Sequence, residues 1–291
     1  MKIRNILAVA GLLGLSWAGN ASAVMVYGLT SSNALVMFDS ATPGTIIGSV
    51  SVSGVSAGQT IRGIDFRPAD GSLFGVSSDS RLYTINTSTG AATAVGAPGQ
   101  FTLSGTAFGF DFNPTVDRIR VTSNLDQNLR LNPTNGALAA VDGTLAYAVG
   151  DRNAGANPNI VGSAYTNNFN GATTTTLYNI DSVLDVLVTQ NPPNNGTLNT
   201  VGGLGFDTGE NVGFDIVPFS NVALASLTGA NGISGLFNIN LNTGAATSIG
   251  NIGNRLTVVD IAVSTVPEPE TILLMVTGFI GLLMSRRRRI K

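Results

Sequence analysis

Several chemically reactive residue types are absent or nearly absent from this 291-residue chain. It has no cysteine and no histidine, which excludes disulfides, thiolate nucleophiles, zinc fingers, haem-type histidine ligation and a serine–histidine triad. Lysine occurs only at Lys2 and Lys291, so nothing between them can form a lysine Schiff base or complete a Walker-type phosphate loop. Charged residues are only 11% of the chain and apolar residues 43%, a balance that excludes a disordered chain.

The first 23 residues have the three parts of a secretory signal peptide. Lys2 and Arg4 form a short positive stretch, and the apolar run Ile6–Leu15 follows. Small residues at Ala21 and Ala23 then form a signal peptidase site, so we expect cleavage after Ala23. The alternative is a buried N-terminal helix, which the coincidence of charge, length and small residues disfavours.

The C-terminus also has a three-part pattern: a short linker, an apolar segment and a basic end. A linker over residues 264–270 precedes a short transmembrane helix and an arginine-rich cytoplasmic tail, predicted together over residues 271–291. The apolar run Ile272–Met284 rises only about 20 Å as a helix, so Thr271, Ser285 and snorkelling arginines must extend the span. The short motif in the linker is Pro267, Glu268 and Pro269, and the basic end is Arg286, Arg287, Arg288 and Arg289.

This tail resembles the PEP-CTERM sorting signal of exopolysaccharide-producing Gram-negative bacteria. In that family, a proline–glutamate–proline motif, a short hydrophobic helix and an arginine-rich end are recognised by an exosortase, a membrane-embedded transpeptidase-like enzyme. The resemblance covers about the last 25 residues. It implies export across the inner membrane, transient anchoring there, processing by signal peptidase and exosortase, and release or transfer to the cell surface.

The region between the two ends is acidic. From Val24 to about Val266 it has eight arginines against fourteen aspartates and Glu210, a net charge of −7. An acidic exported domain is a poor match for nucleic acid, so we expect no nucleic-acid partner.

The same region is built from repeated β-hairpins. Leu82–Gly96 and Leu236–Gly250 are identical at nine of fifteen positions, and each has the pattern strand, turn, strand. Asn86 and Asn240 can hydrogen-bond their own backbone, and Gly90 and Gly244 can adopt the positive φ that such a turn needs. Weaker copies begin near Phe38, Leu129 and Leu177, so five hairpins are predicted. The copy at Leu177–Val201 has Asp181 and Gly196 around a longer insertion.

A distinct aspartate-containing strand precedes three of these hairpins, and a fourth such strand ends the region. The aspartates are Asp65, Asp111, Asp215 and Asp260. A period of about 48 residues with several strands per unit predicts an all-β fold, a β-propeller of five four-stranded blades over residues 24–263. Leu256–Val263 lacks a hairpin and Val24–Val52 lacks a preceding strand, so pairing the two would close the ring. A β-sandwich or another repetitive β fold is the alternative.

Motifs around these hairpins also resemble a secreted bacterial domain of unknown function, often found upstream of PEP-CTERM tails. The likeness covers roughly Val26 to Val263. It implies an exported propeller-like domain, and it brings no assigned activity and no catalytic residue. The motifs are Phe110–Pro114, Asp117–Val121, Asn128–Asn132, Asn157–Ile160 with Ala164–Asn167, and Thr189–Pro193.

The four repeated aspartates are weak candidates for a metal site, and no metal or other cofactor is predicted outright. A ring of carboxylates around the channel could hold a hard cation such as Ca²⁺. Alternatively, each aspartate accepts hydrogen bonds from turn amides or pairs with a neighbouring arginine, and so holds neighbouring blades together. We favour the structural role because one residue per blade suits it.

A cluster of arginines in the second and third predicted blades has two interpretations. It could be an anion or uronic-acid site built on guanidinium forks. The favoured interpretation is a run of exposed ion pairs, each worth about 0–1 kcal/mol, with nearby aspartates at positions 65, 70, 117 and 126. The arginines are Arg62, Arg67, Arg118, Arg120 and Arg130.

The functional expectation is an exported, non-catalytic module at the cell surface or in the matrix, associated with exopolysaccharide or a surface protein. Neutral Asn-, Thr- and Ser-rich loops match hydroxyl-rich ligands and offer few groups for proton transfer. No catalytic residue is predicted. The alternative is a carboxylate-dependent polysaccharide hydrolase or lyase on a five-bladed propeller, which would need two facing carboxylates about 5 to 9.5 Å apart.

Overall fold

The computed structural model describes residues 23–264. No helix in this part of the chain is long and apolar enough to cross a membrane. Ala23, the first described residue, is exposed. The predicted signal peptide with Ala21, the sorting motif at 267–269, the predicted transmembrane helix and the arginines at 286–289 lie outside the described residues.

The regular secondary structure of the described residues is β-strand, apart from one short 3₁₀ turn at Pro193–Asn195. The strands of the first half are β1 Met25–Thr30, β2 Ala34–Asp39, β3 Ile46–Ser51, β4 Ile61–Phe66, β5 Leu73–Ser77, β6 Arg81–Ile85, β7 Ala92–Val95, β8 Phe108–Asn113, β9 Arg118–Ser123, β10 Asn128–Leu131 and β11 Leu138–Val141. Those of the second half are β12 Ala146–Tyr147, β13 Ile160–Tyr165, β14 Leu177–Asp181, β15 Val186–Gln190, β16 Thr197–Gly203, β17 Val212–Ile216, β18 Ala223–Thr228, β19 Ser234–Ile239, β20 Ala246–Asn251 and β21 Val258–Val263.

The strands form five sheets, which are the blades of a five-bladed β-propeller. From the axis outward the blades are β21-β1-β2-β3, β4-β5-β6-β7, β8-β9-β10-β11, β13-β14-β15-β16 and β17-β18-β19-β20, here called the first to the fifth blade. The innermost strands pack against one another around the axis. The predicted fold class and number of blades are confirmed.

The first blade is assembled from both ends of the described chain, as predicted. β21 pairs antiparallel with β1, so that Val26 lies opposite Val263 and Gly28 opposite Ile261. The ring therefore closes through a strand that is about 230 residues away in sequence from its partner. β21 thereby covers the edge that β1 would otherwise leave unpaired, and the propeller is left with only short, protected strand edges.

The hydrophobic core lies in layers between adjacent blades. One layer joins Leu29 and Leu35 of the first blade to Ile64 and Tyr83 of the second. Other layers join the second blade to the third, the fourth to the fifth, and the fifth back to the first. Because each sheet buries both faces, the inner strands are continuous buried runs with little alternation.

The predicted hairpin turns form as expected. The Asn86 side chain accepts the backbone N–H groups of Ser88 and Thr89, each at 3.0 Å, and Asn240 makes the equivalent bonds in the fifth blade. Gly90 has a φ of +73° and lies against the preceding blade, where an added Cβ would collide with the carbonyl oxygen of Ser51. The turn glycine is therefore needed both for its conformation and for close packing between blades.

Replacing Gly90 with alanine is expected to destabilise the protein more than replacing Gly58. Both residues have φ near +75°, so both variants incur the backbone strain of about 1–2 kcal/mol. A Cβ at Gly58 meets no atom within 4 Å, whereas Gly90→Ala adds an overpacking cost of about 1–3 kcal/mol. Urea unfolding of the two full-length variants measures the difference; equal costs would show that the contact between blades does not matter.

The fourth blade departs from the sequence expectation. The predicted hairpin Leu177–Val201 is three strands, β14, β15 and β16, and Asp181 ends the first of them. Its inner strand, β13, was not predicted because Ala164 occupies the position at which the other inner strands have aspartate. A short strand, β12, adds to the outer edge in parallel with β16, so this blade has five strands.

Candidate functional site

The four repeated aspartates lie on the inner strands and join neighbouring blades. Asp65 Oδ2 accepts the backbone N–H of Phe112 in the next blade at 2.8 Å, and Asp260 Oδ2 accepts that of Ile64 at 2.7 Å. Asp215 and Asp111 likewise accept amides from the blades that follow them. The partners are inner-strand backbone amides and not the turn amides or arginines considered from sequence; the four ion pairs of the described residues involve none of these aspartates.

Three of these carboxylates converge on the axis. Asp65, Asp111 and Asp215 each place one oxygen within 4.8 Å of the other two, and all three side chains are buried. Asp111 Oδ2 has no hydrogen-bond partner, although it is buried. We call these three residues the axial cluster. Buried carboxylates without a cationic neighbour must be neutralised by protons or by a bound cation.

Burial and mutual repulsion raise the pKa values of the axial cluster. Burial raises the pKa of Asp215 to about 7. The pKa of Asp65 lies well above its usual range because of burial and the charge of Asp215, and that of Asp111 because of burial and the charge of Asp65. Burial also raises the pKa of Asp260 well above its usual range. The cluster therefore holds protons at a pH where exposed aspartates are ionised.

The axial cluster offers a cation few free ligands. Two carboxylate oxygens bound to one Ca²⁺ at 2.3–2.6 Å can be about 5 Å apart, so the spacing of the cluster fits. However, both oxygens of Asp65 and both of Asp215 already accept backbone N–H groups. Only Asp111 Oδ2 is free, whereas Ca²⁺ takes six to eight oxygen ligands. Shared protons fit these contacts better than Ca²⁺.

Two features of the axial region were not predicted from the sequence. Ala164 leaves the fourth blade without a carboxylate, which reduces the like-charge repulsion on the axis. The buried Asn168, in the loop after β13, hydrogen-bonds to Asp215 through its side chain and lowers the pKa of that carboxyl against the effect of burial. A glycine two residues before the aspartate position could have identified β13, because four of the inner strands have it. These glycines are Gly63, Gly109, Gly162 and Gly213.

An open groove of about 710 Å³ lies between the first and second blades. It lies where the inner strands end, since Phe66 closes β4 and Ser264 follows β21. We call this side of the ring the C-terminal face. The groove has no charged residue in its lining, and we call it the neutral groove; its lining includes Tyr27, Phe66, Ser72, Thr84, Asn86, Thr87 and Thr93.

A smaller cavity of about 240 Å³ opens on the same face between the third and fourth blades. Arg118, Arg120 and Arg130 line it, and we call it the arginine pocket. Of the predicted arginine cluster, Arg62 is exposed on β4, and Arg67 forms the expected ion pairs, with Asp70 and Asp117. The remaining residues of the pocket lining are Asn113, Val116, Tyr165, Pro192, Pro193 and Asn194.

Arg120 contradicts the expectation of exposed ion pairs. Its side chain is only 2% exposed, because it passes under the fourth blade and donates to Asn194 Oδ1 at 2.8 Å and to Tyr165 Oη at 3.3 Å. Its ion-pair partner, Asp142, is buried as well and also binds Arg130 through both carboxylate oxygens.

A known protein family covers most of the described residues. Residues 34–262 match a family described as a domain of unknown function, DUF4394. The chain belongs to the DUF4394 family. This membership confirms the resemblance expected from the sequence and assigns no activity to the propeller. No functionally curated protein matches the chain.

Solved structures resemble this DUF4394 propeller at low identity. Glutaminyl cyclase of Myxococcus xanthus is 12% identical, with a TM-score of 0.43 and coverage of 80% of this chain and 83% of that one. A chain of the nidogen–laminin complex is 14% identical, with a TM-score of 0.44 and coverage of 83% and 84%. The dihydro-haem d1 dehydrogenase NirN is 13% identical with a TM-score of 0.38; 77% of this chain matches 43% of that one. At these values, none of their activities transfers to this chain.

The C-terminal sequence identifies how the protein is sorted. Residues 265–289 match the PEP-CTERM protein-sorting motif, as expected from the Pro-Glu-Pro motif and the arginines. The DUF4394 protein is therefore exported and sorted by exosortase to the cell surface. The signal peptide, its cleavage after Ala23 and the boundaries of the C-terminal segments stay predictions.

Proposed function

We propose that this DUF4394 protein is a non-catalytic module that binds hydroxyl-rich polymer, the exopolysaccharide of the producing cell, at the surface or in the matrix. The neutral groove carries the proposal. Its hydroxyl and amide side chains can donate to and accept from sugar hydroxyls, and the half-buried Tyr27, packed against the buried Phe66, adds apolar ring surface.

The aromatic part of the groove is held in place by packing. The rings of Tyr27 and Phe66 meet edge to face, with centroids 5.2 Å apart, across the boundary between the first and second blades. A second aromatic pair lies on the C-terminal face, in the loops after β13 and β17: Phe169 and Phe219 stack at 4.7 Å, and Phe219 is 75% exposed. Exposed rings beside neutral hydrogen-bonding groups favour sugar recognition over a purely structural surface.

The distribution of carboxylates supports binding without turnover. A glycoside hydrolase needs two facing carboxylates at the substrate, whereas the neutral groove is lined by none. The axial carboxylates are buried and bonded to backbone amides, away from that groove.

Co-sedimentation with the producer's own exopolysaccharide tests the proposal. We expect protein purified from the producing cells to sediment with the polymer and to release neither new reducing ends nor unsaturated products. Tyr27→Leu should lower the bound fraction severalfold, whereas Tyr178→Leu, at another half-buried tyrosine outside the groove, should not.

Two results would overturn this function. Product release that disappears when one aspartate is replaced would make the protein a carboxylate-dependent hydrolase or lyase. If the protein neither sediments with the polymer nor releases products, the polymer is excluded and a surface protein remains as the partner.

A further inference from the structure

The arginine pocket concentrates positive charge in an acidic domain. Three of the eight arginines between Val24 and Val266 line one cavity, although this region has a net charge of −7. Arg130 lies directly opposite Arg120 in the pairing of β10 with β9, and Arg118 is two residues along the same strand face. Asp142 pairs with both Arg120 and Arg130 and so offsets the repulsion between these two like charges, whereas Arg118 adds a third guanidinium group that forms no ion pair within residues 23–264.

The carboxylates near the pocket are already bound. Asp142 accepts both Nε–H and Nη2–H of Arg130, at 2.7 and 2.9 Å, and is also paired with Arg120. Asp117 is held by two hydrogen bonds from Arg67, with Nε to Oδ1 at 2.9 Å. Arg118 donates to the backbone oxygen of Asp117 at 2.8 Å and forms none of the four ion pairs found within residues 23–264.

Hydrogen bonds fix the base of the arginine pocket, whereas the arginines at its opening keep N–H groups that have no protein acceptor. Arg120 uses Nε, Nη1 and Nη2 in bonds to Tyr165, Asn128, Asp142 and Asn194, which fixes it as the floor. Arg130 is about one third exposed and has Nη1 free of protein acceptors. Two guanidinium groups with free N–H donors over a fixed cationic floor match a planar anionic group, because such donors bind a carboxylate in a fork.

We propose that the arginine pocket binds the carboxylate of an acidic sugar unit, a uronate, in the polymer that the domain recognises. Arg118 and Arg130 are its direct ligands, and Arg120 is a positioning residue. Asn113 and Asn194 already accept hydrogen bonds at Oδ1, and their NH₂ groups are placed to bond sugar hydroxyls. The apolar part of the wall is formed by Val116, Pro192 and Pro193. At about 240 Å³ the cavity is smaller than a drug-sized site and suits one sugar unit.

This inference rests on the proposed function and names the chemical class of the polymer. Both sites open on the C-terminal face, so one strand of polymer can place neutral units in the neutral groove and an acidic unit in the arginine pocket. In a domain of net negative charge, the arginine pocket is the place where a polyanion would bind.

Calorimetric titration of the full-length protein in detergent with digalacturonate tests the proposal. We expect binding that cellobiose and sodium sulfate at equal ionic strength do not reproduce. Arg118→Gln should weaken binding about tenfold or more, since it removes a charge-assisted fork. Arg118→Lys should recover only part of the loss because lysine keeps the charge without the fork.

Arg62→Gln is the matched control, since Arg62 is exposed and outside the pocket. The arginines at 286–289 are present in every variant, so they cancel in the comparison. Equal affinity of Arg118→Gln and the parent, or equal responses to sulfate and digalacturonate, would overturn the pocket assignment. If the parent protein still sediments with its exopolysaccharide in that case, the proposed function stands and only the acidic sugar is wrong.

Discussion

Replacing β21 with a flexible segment of the same length is expected to abolish cooperative folding of the full-length protein. Val258, Ile261 and Val263 are buried between the first and fifth blades, and burying each such side chain is worth about 1.5–3 kcal/mol. The replacement also removes the Asp260 carboxylate, which accepts the backbone N–H of Ile64, and exposes the edge of β1. The summed loss is comparable with a whole domain stability of about 5–15 kcal/mol.

The matched control is the same replacement of β11, the outermost strand of the third blade. β11 is mostly exposed, and only its inner edge pairs with another strand. We expect that variant to fold with a lowered melting temperature and the β21 variant to aggregate, as followed by near-ultraviolet circular dichroism and light scattering. A β21 variant that melts like the parent protein would show that the ring does not need closure.

The second large effect is a loss of stability as pH rises from about 4 to above 7. The carboxyls of the axial cluster have higher pKa values in the folded protein than the usual 3.8, so the folded state binds more protons in this range. The free energy of unfolding therefore falls with increasing pH and levels off above the folded pKa values. For Asp215 alone, a pKa of about 7 corresponds to about 4 kcal/mol.

Asp111→Asn separates this effect from general charge effects. In the parent protein the Tyr165 N–H donates to Asp111 Oδ1 at 3.2 Å, and the carbonyl oxygen of an asparagine can keep this bond. The NH₂ group of the asparagine then takes the place of Oδ2, which has no partner in the parent. There it can donate to a neighbouring carboxylate. We expect Asp111→Asn to flatten the pH profile and to be more stable than the parent at pH 8, whereas Asp207→Asn, at an exposed site, should leave the profile unchanged.

A chelator distinguishes protons from a cation in the axial cluster. We expect the melting temperature at pH 8 to be the same in EDTA and in Ca²⁺, because proton sharing needs no metal. A cation present at 100 times its dissociation constant would add about 2.7 kcal/mol. A fall in EDTA that Ca²⁺ reverses, and that Asp111→Asn eliminates, would show that a cation neutralises the cluster.

The repeat pattern was enough to predict four of the five blades in detail. The turns at Asn86 and Asn240 are local, because their hydrogen bonds reach only two or three residues along the chain. The fourth blade was harder, since its inner strand has Ala164 in place of the repeated aspartate. A repeat is recognisable by its side chains, whereas the backbone can keep its strand after the marker residue has changed.

The sequence by itself determined the sorting motif, the hairpin repeat, the number of blades and the closing strand, because each depends on residue types at short or regular spacing. Only the tertiary structure decided what the aspartates and arginines do. Asp65 and Asp215 are 150 positions apart and meet on the axis only after the ring closes. Arg120 becomes buried because Asn194 of the next blade packs over it. Such contacts depend on how neighbouring blades fit together, which no local pattern encodes.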